Sequence, residues 1–234
     1  MSAPPAGAPE LSALRPFPVD ADVLAAIRPM QFRDARRVAE LHHAAMGNSL
    51  WAKLGLPFLQ QLYQALVDCP WFLGFVYVED GDVRGFLAGS TDTAKMYRHI
   101  LRHRTVFLAP AAAVGVLRRP GVAVTLLQTA RYFGVSGAED VPGESLFCSF
   151  EPDLRGKRVS GHINKVFFDE LCARGHAAVK ITTEVGNEGA NRQLQSWGFA
   201  DRHRFRFYGK DMVTYVMPLS GHPRVQPTSR HPAV

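Results

Sequence analysis

Cysteine is scarce in this 234-residue chain, and the three present, Cys69, Cys148 and Cys172, fall in no paired spacing. That excludes a disulfide framework and a zinc-type cluster, and leaves three small apolar side chains. Nor do the adjacent His42 and His43 make a ligand pair, since on a helix they face different sides. No metal is expected. No uninterrupted apolar run reaches the roughly 20 residues that span a bilayer. The start of the chain has prolines and small residues but no basic-then-apolar signal pattern, so a cytoplasmic protein is expected. Acidic residues are the minority charge, 21 against 27 basic, and the net charge of +6 favours anionic partners through steering. The basic residues fall in short scattered groups (Arg36-Arg37, Arg118-Arg119, residues 202–206) that read as solvated faces. Nucleic acid is therefore not expected as a partner. No internal repeat is visible.

What remains is an ordinary globular composition, 47% apolar, on a chain long enough for one domain with a sizeable core. Residues 1–20 are rich in Ala and Pro, and residues 221–234 mix prolines, serine and basic residues. Both are expected to be disordered. Residues 21–220 read as one α/β domain. A short strand is expected over 23–30. Asp34 can then cap a helix that turns Val38, Leu41 and Ala45 to the core. Residues 47–57 form a loop with Asn48, Ser49 and Trp51, before a helix over 58–67 with Phe58, Leu62, Tyr63 and Leu66 at helical spacing. Two strands, 71–78 and 83–88, flank Asp80-Gly81, a hairpin signal.

Residues 91–140 form an insertion. It opens with a basic helical run (Lys95, Arg98, Arg102, Arg104), turns apolar over 106–116, breaks at Arg118-Arg119-Pro120-Gly121 and resumes an apolar helix over 122–133. Neither apolar half is long enough to span a membrane, and the charged break would lie at mid-depth in a single span. A helical hairpin packed over the sheet is expected, as a lid or wall of an acceptor pocket. Peripheral membrane contact or dimerisation through 106–133 stays open.

Chemistry concentrates in residues 144–199. An apolar strand at 145–150 runs into the basic turn Pro152-Asp153-Leu154-Arg155-Gly156-Lys157-Arg158-Val159-Ser160-Gly161. A helix over 160–173 carries Ile163, Val166, Phe167 and Leu171, and Gly175 stops it. A second strand at 178–183 leads to Gly186-Asn187 and a short helix ending at Trp197-Gly198-Phe199. In this βαβ unit the first turn delivers backbone N–H groups and cationic side chains to one helix N-terminus, which suits a phosphate.

Those residues resemble the GNAT-type N-acetyltransferases. Phe150-Glu151-Pro152-Asp153-Leu154-Arg155-Gly156-Lys157 is similar to that family's strand and R-x-x-G-x-G/A turn, and Asn187-Glu188-Gly189-Ala190 with Gly198-Phe199 resembles its N-x-x-A … G-F signature. Arg158 and Ser160 stand at the two glycine positions, and Leu194 stands where the family commonly has a general-acid tyrosine. The resemblance implies an α/β GNAT fold, a mixed central sheet with splayed middle strands, flanked by helices, with the helical insertion between the third and fourth strands. It implies acetyl-CoA as cosubstrate, with its pyrophosphate on the amides of Arg155, Gly156, Lys157, Arg158, Val159, Ser160 and Gly161. The pantetheine arm would lie along Cys148, Ser149 and Phe150, with Asn187 completing the site.

Acyl transfer to an amine needs a base for the amine proton, donors for the oxyanion and, at most, an acid for the thiolate. Glu144 begins the central strand and matches a family position for proton relay. Glu184, after the next strand, is the second carboxylate candidate. Leu194 has no proton to give, and Tyr208 and Tyr215 are distant substitutes. The loop at 47–57 borders the acceptor site in this family, which makes Trp51 a candidate substrate platform; a cap on the core is its other reading. The expected activity is acetyl transfer to a small-molecule amine. The basic insertion hints at an anionic acceptor such as an amino sugar or nucleotide-linked amine. The alternative is a non-catalytic GNAT-fold binding or regulatory module.

Overall fold

The computed structural model describes residues 14–123, 138, 140–207 and 209–227. Helix α1 (Ala21–Ala25) comes first, because the Asp20 carboxylate accepts the Asp22 and Val23 N–H groups and caps it. The strand expected over 23–30 therefore shrinks to β1 (Ile27–Pro29). Asp34 does not cap the next helix with its side chain. It takes a two-point bond from Arg28, at 2.6 and 2.9 Å, and accepts the Gln31 N–H, which ties β1 to the turn before that helix. Helix α2 (Ala35–Met46) buries Ala35, Val38, Ala39, Leu41 and His42, while Ala45, expected in the core, is exposed. The buried set 35, 38, 39, 42 follows the i, i+3, i+4, i+7 stripe, and Ala45 lies on the same side as Val38 and Leu41 but is exposed in the last turn of the helix.

The expected loop at 47–57 contains a short helix, α3 (Leu50–Lys53), capped by Ser49, and α4 (Leu56–Val67) comes next. Strands β2 (Phe72–Glu79) and β3 (Asp82–Ser90) form the hairpin, with Asp80 and Gly81 at φ of 53° and 84°. Positive φ at both turn positions is the geometry whose twist matches paired strands. The insertion supplies α5 (Thr93–His103) and α6 (Thr105–Arg118), bent 86° apart. Among the described residues no single helix is long and apolar enough to cross a membrane. Helix α6 leans on the α3–α4 corner at Gly115, where a Cβ would come within 2.5 Å of the Leu54 carbonyl. The apolar helix expected to resume over 122–133 lies mostly outside the described residues.

Then come β4 (Glu144–Phe150), a 3₁₀ turn (Pro152–Leu154), α7 (Val159–Ala173), β5 (Ala178–Glu184), α8 (Glu188–Ser196), β6 (Ala200–Phe207) and β7 (Lys210–Pro218). The seven strands lie in the order β1-β2-β3-β4-β5-β7-β6. Every neighbouring pair is antiparallel except β4 and β5, which the α7 crossover makes parallel.

Two cores sandwich the sheet. One lies beneath α2 to α6 and takes Val76, Phe86 and Ala88 from the strands. The other lies beneath α1, α7 and α8 and takes Phe75, Leu87, Val179 and Met217, with Phe167, Phe168, Trp197 and Phe199 opposite. Each fully buried large apolar side chain contributes about 1.5–3 kcal/mol. The chain ends add a third layer. Phe17 stacks on Trp197 at 5.1 Å and meets His162 edge-on. Arg224 reaches the carbonyls of Arg15 and Ser196, and the Gln226 N–H bonds Asp169. Residues 14–20 and 221–227, expected to be loose, thus strap α7. Residues 1–13 and 228–234 lie outside the described residues. The straps explain why α7 carries a buried ion pair, Lys165–Asp169 at 3.0 Å, whose lysine also donates to the Arg224 carbonyl.

Candidate active site

The parallel pair β4–β5 has only two rungs, Glu144 with Lys180 and Ser145 with Ile181. Beyond them the strands part. A register irregularity in β4, where Ala88 faces Phe147 but Gly89 faces Ser145, marks the point of divergence. The backbone directions can be read from one bond. The Glu151 N–H goes to Arg84 at the end of β3, so by alternation Ser149 and Phe147 also address β3, while Cys148 and Phe150 turn theirs into the gap. Ser149 is therefore withdrawn from the expected cofactor contacts. It is buried, and its hydroxyl donates to the Leu41 carbonyl of α2. Cys148 is exposed at the gap, and the protein crowded around it raises its thiol above the ordinary range.

At the open end the chain turns through Gly156 and Arg158, with φ of 85° and 57°. Arg158 holds the left-handed conformation where the family motif has glycine. Its carbonyl accepts two bonds, from the His162 N–H at 3.2 Å and from His162 Nδ1 at 2.9 Å. The second ring nitrogen of His162 accepts the Asp20 N–H, so this buried histidine has both ring nitrogens engaged and braces the turn rather than facing a ligand. The N–H groups of Gly156, Arg158, Val159, Ser160 and Gly161 have no acceptor among the described residues. The acidic neighbours are already engaged: Asp153 by both oxygens with Arg84 at 2.8 Å, and Glu151 with Arg37. Arg155, Lys157 and Arg158 are exposed and have no ion-pair partner among the described residues. Asn187 caps α8 by accepting the Ala190 N–H, and Gln193 of α8 reaches the Ser160 hydroxyl at 3.4 Å, which brings α8 alongside this turn. The departure at Arg158 therefore leaves the turn's shape intact.

The closed end is different in character. Glu144 is desolvated, and burial raises its carboxyl above the usual range. Lys180, with Nζ 4.0 Å from Oε2, pulls it partly back. The Thr93 hydroxyl is near enough to favour the carboxylate, though without full hydrogen-bond geometry. Lys180 is itself buried and donates to the Ala138 carbonyl at 3.0 Å. Tyr97, four residues after Thr93 and so on the same face of α5, has its phenol raised by burial and by the Glu144 charge. The insertion thus contributes to the surroundings of the carboxylate. A charged residue inside the apolar strand β5 was the one sequence signal for Lys180; nothing local marked Thr93 or Tyr97.

Glu184 is not part of this group. It lies four residues beyond Lys180, roughly 13 Å along the strand, is exposed, and pairs with Lys210. Trp51 is half-buried, lies parallel to Phe58 with ring centroids 6.0 Å apart, and packs on the core under α2–α6, so the structure supports the core-cap reading. Leu194 is buried against the Trp197 and Phe199 core, and Tyr215 is buried there too. Tyr208 lies outside the described residues. Among the described residues no three His, Cys, Asp or Glu side chains are grouped to hold a metal.

No protein-family model matches the sequence, and no curated protein matches it significantly. Solved structures do. SsHAT superposes with a TM-score of 0.59 over 83% of this chain and 98% of its own, at 18% identity. The ribosomal-protein-S18-alanine N-acetyltransferase from Escherichia coli gives 0.51 over 83% and 93%, at 13% identity. Mutant forms of the spermidine/spermine N-acetyltransferase SpeG from Vibrio cholerae give 0.50 over 84% and 95%, at 12% identity. These neighbours are GNAT acetyltransferases, and the chain has the GNAT fold.

Proposed function

We propose that this protein is an N-acyltransferase that moves an acetyl group from acetyl-CoA to the amine of a small-molecule acceptor. The observation that carries the reading is the coincidence, on one strand, of a buried carboxylate at the point of splay with an open row of amides and free cations at the other end. The residues fit the cosubstrate. The amides of Gly156 and Arg158 to Gly161 would take its pyrophosphate, assisted by Arg155, Lys157 and Arg158. The gap-facing backbone of Cys148 and Phe150 would take the pantetheine amides. When bound, acetyl-CoA supplies the activated acetyl group as a thioester.

The chain supplies positioning and proton handling. Glu144, on the α2–α6 face of the sheet, takes a proton from the acceptor ammonium, directly or through a water, and its raised affinity for protons makes it a better base than an exposed carboxylate. Lys180 opposes that rise. No residue at the Leu194 position can protonate the thiolate, which leaves as the anion or takes its proton from water. The basic insertion favours an anionic acceptor, an amino sugar or nucleotide-linked amine. The buried Leu194 also favours a second reading, a non-catalytic GNAT module.

A thermal-shift titration with acetyl-CoA, against free adenosine as control, tests the first step, and thiol release across a panel of amines tests the second. Stabilisation with turnover establishes the reading. Stabilisation without turnover on any amine moves it to the non-catalytic module, and no stabilisation rejects the cofactor.

A further inference from the structure

We propose that the outer face of α6 is a docking surface for an anionic phospholipid membrane, in which the helix lies flat. Val106, Phe107 and Leu117 are 81%, 65% and 82% exposed, and Val114 is also exposed. At 100° per residue, Val106, Phe107, Pro110, Ala113, Val114 and Leu117 share one arc about 120° wide. Leu108, Ala111, Ala112 and Gly115 fall on the opposite side, toward α3 and α4. From Val106 to Leu117 no side chain can hydrogen-bond, so this is not a stretch meant to stay in water.

Charge identifies the occupant. No acidic residue occurs between Asp92 and Glu139. Arg98 and Arg102 precede the apolar face, and Arg118 and Arg119 follow it. All four are exposed and none has an ion-pair partner among the described residues, whereas Arg104 is held by Asp68. An apolar face rimmed at both ends by free arginines suits a lipid surface with negative headgroups. A second copy suits it poorly. Antiparallel or parallel, α6 against α6 brings arginine ends together. Alone α6 is too short to span: its fourteen residues cover about 21 Å of a roughly 30 Å core, and α5, which with α6 has the length and composition of a broken span, departs at 86°. This inference does not depend on acyl transfer.

The test is flotation of the full-length protein with phosphatidylcholine vesicles, with and without about 30 mol% phosphatidylserine. The protein should float with the anionic vesicles at least about tenfold more than with neutral ones, and salt should weaken this. Phe107→Asp with Leu117→Asp should reduce binding more than about tenfold, and Arg102→Glu, Arg118→Glu and Arg119→Glu together by about 10²-fold. All five positions are exposed, so melting temperatures should stay at the wild-type value. Equal binding to both vesicle types, or no binding to either, overturns the proposal. So does a concentration-dependent dimer that Phe107→Asp dissolves, which would make the face a protein interface.

Discussion

The two ends of β4 do opposite things with one strand. At Glu144 it is paired to β5, and the side chains around it are buried and electrically crowded. At Phe150 it has parted from β5, and the turn beyond presents free amides and unpaired cations to solvent. Burial raises the energy of a charge and so makes a carboxylate reactive toward protons. Exposure with aligned donors lowers the energy of a bound anion. A single short strand thus separates an end suited to chemistry from an end suited to binding, and the splay is what allows both.

The sharpest break between the two ends is Glu144→Gln. Turnover should fall about 10²–10⁴-fold while cofactor affinity stays near wild type, since the change touches only the closed end. The acid limb of the pH–rate profile, which the raised Glu144 carboxyl places above the usual carboxylate range, should disappear. Lys180→Met removes the cation that opposes that rise and should move the limb to higher pH instead. An unchanged limb in both variants would assign the base elsewhere.

The packing behind the closed end is also acid-sensitive. His42 rests on Phe147 of β4, with ring centroids 4.8 Å apart, and bonds Tyr63 and Ser49. Burial holds it down at about 4. Its neutral form is favoured by folding, so the stabilisation is complete above its unfolded value near 6.5 and is lost as pH falls from there to about 4. The slope should be about 1.4 kcal/mol per pH unit in that window. Urea titrations from pH 7 to 4 should show it, and His42→Gln should flatten it.

At the open end, Arg155→Glu with Arg158→Glu should weaken acetyl-CoA binding about 10²-fold and reverse its salt dependence, with turnover at saturation little changed. Calorimetric titration at two ionic strengths separates this from a folding defect. The smallest effect belongs to Arg158→Gly. It relieves a left-handed conformation that costs a non-glycine residue about 1 kcal/mol, so stability should rise by up to that amount while affinity falls severalfold for want of the cation. A large loss of stability would mean that the arginine side chain, rather than the His162 brace, holds the turn.

Features set by local chemistry were legible in the chain. Asp80-Gly81 specified the hairpin because few residue pairs accept positive φ in succession. The strand–turn–helix at 144–173 could be read because periodicity and orphan amides are properties of short segments. Misreadings arose where distant groups decide. The 23–30 strand yielded to a cap at Asp20. Ala45 lies on the side of Val38 and Leu41, yet the last turn of α2 leaves it exposed. Ser149 turned to Leu41 and Glu184 to Lys210, and of the two readings open for Trp51 its contact with Phe58 favours the core cap. The terminal segments had too little apolar content to suggest order, yet Trp197, His162 and Asp169 gave them surfaces to pack on.

By itself, then, the sequence determined the elements, the basic turn and the polarity of the insertion, since turn conformation, helix period and charge are carried by neighbours along the chain. Tertiary structure alone decided that β4 and β5 part after two rungs, that Lys180 and the α5 face close over Glu144, and that α6 keeps an apolar face in solvent. Each of those depends on which surfaces meet across the sheet, and that is a competition among burial, pairing and desolvation between segments far apart in sequence.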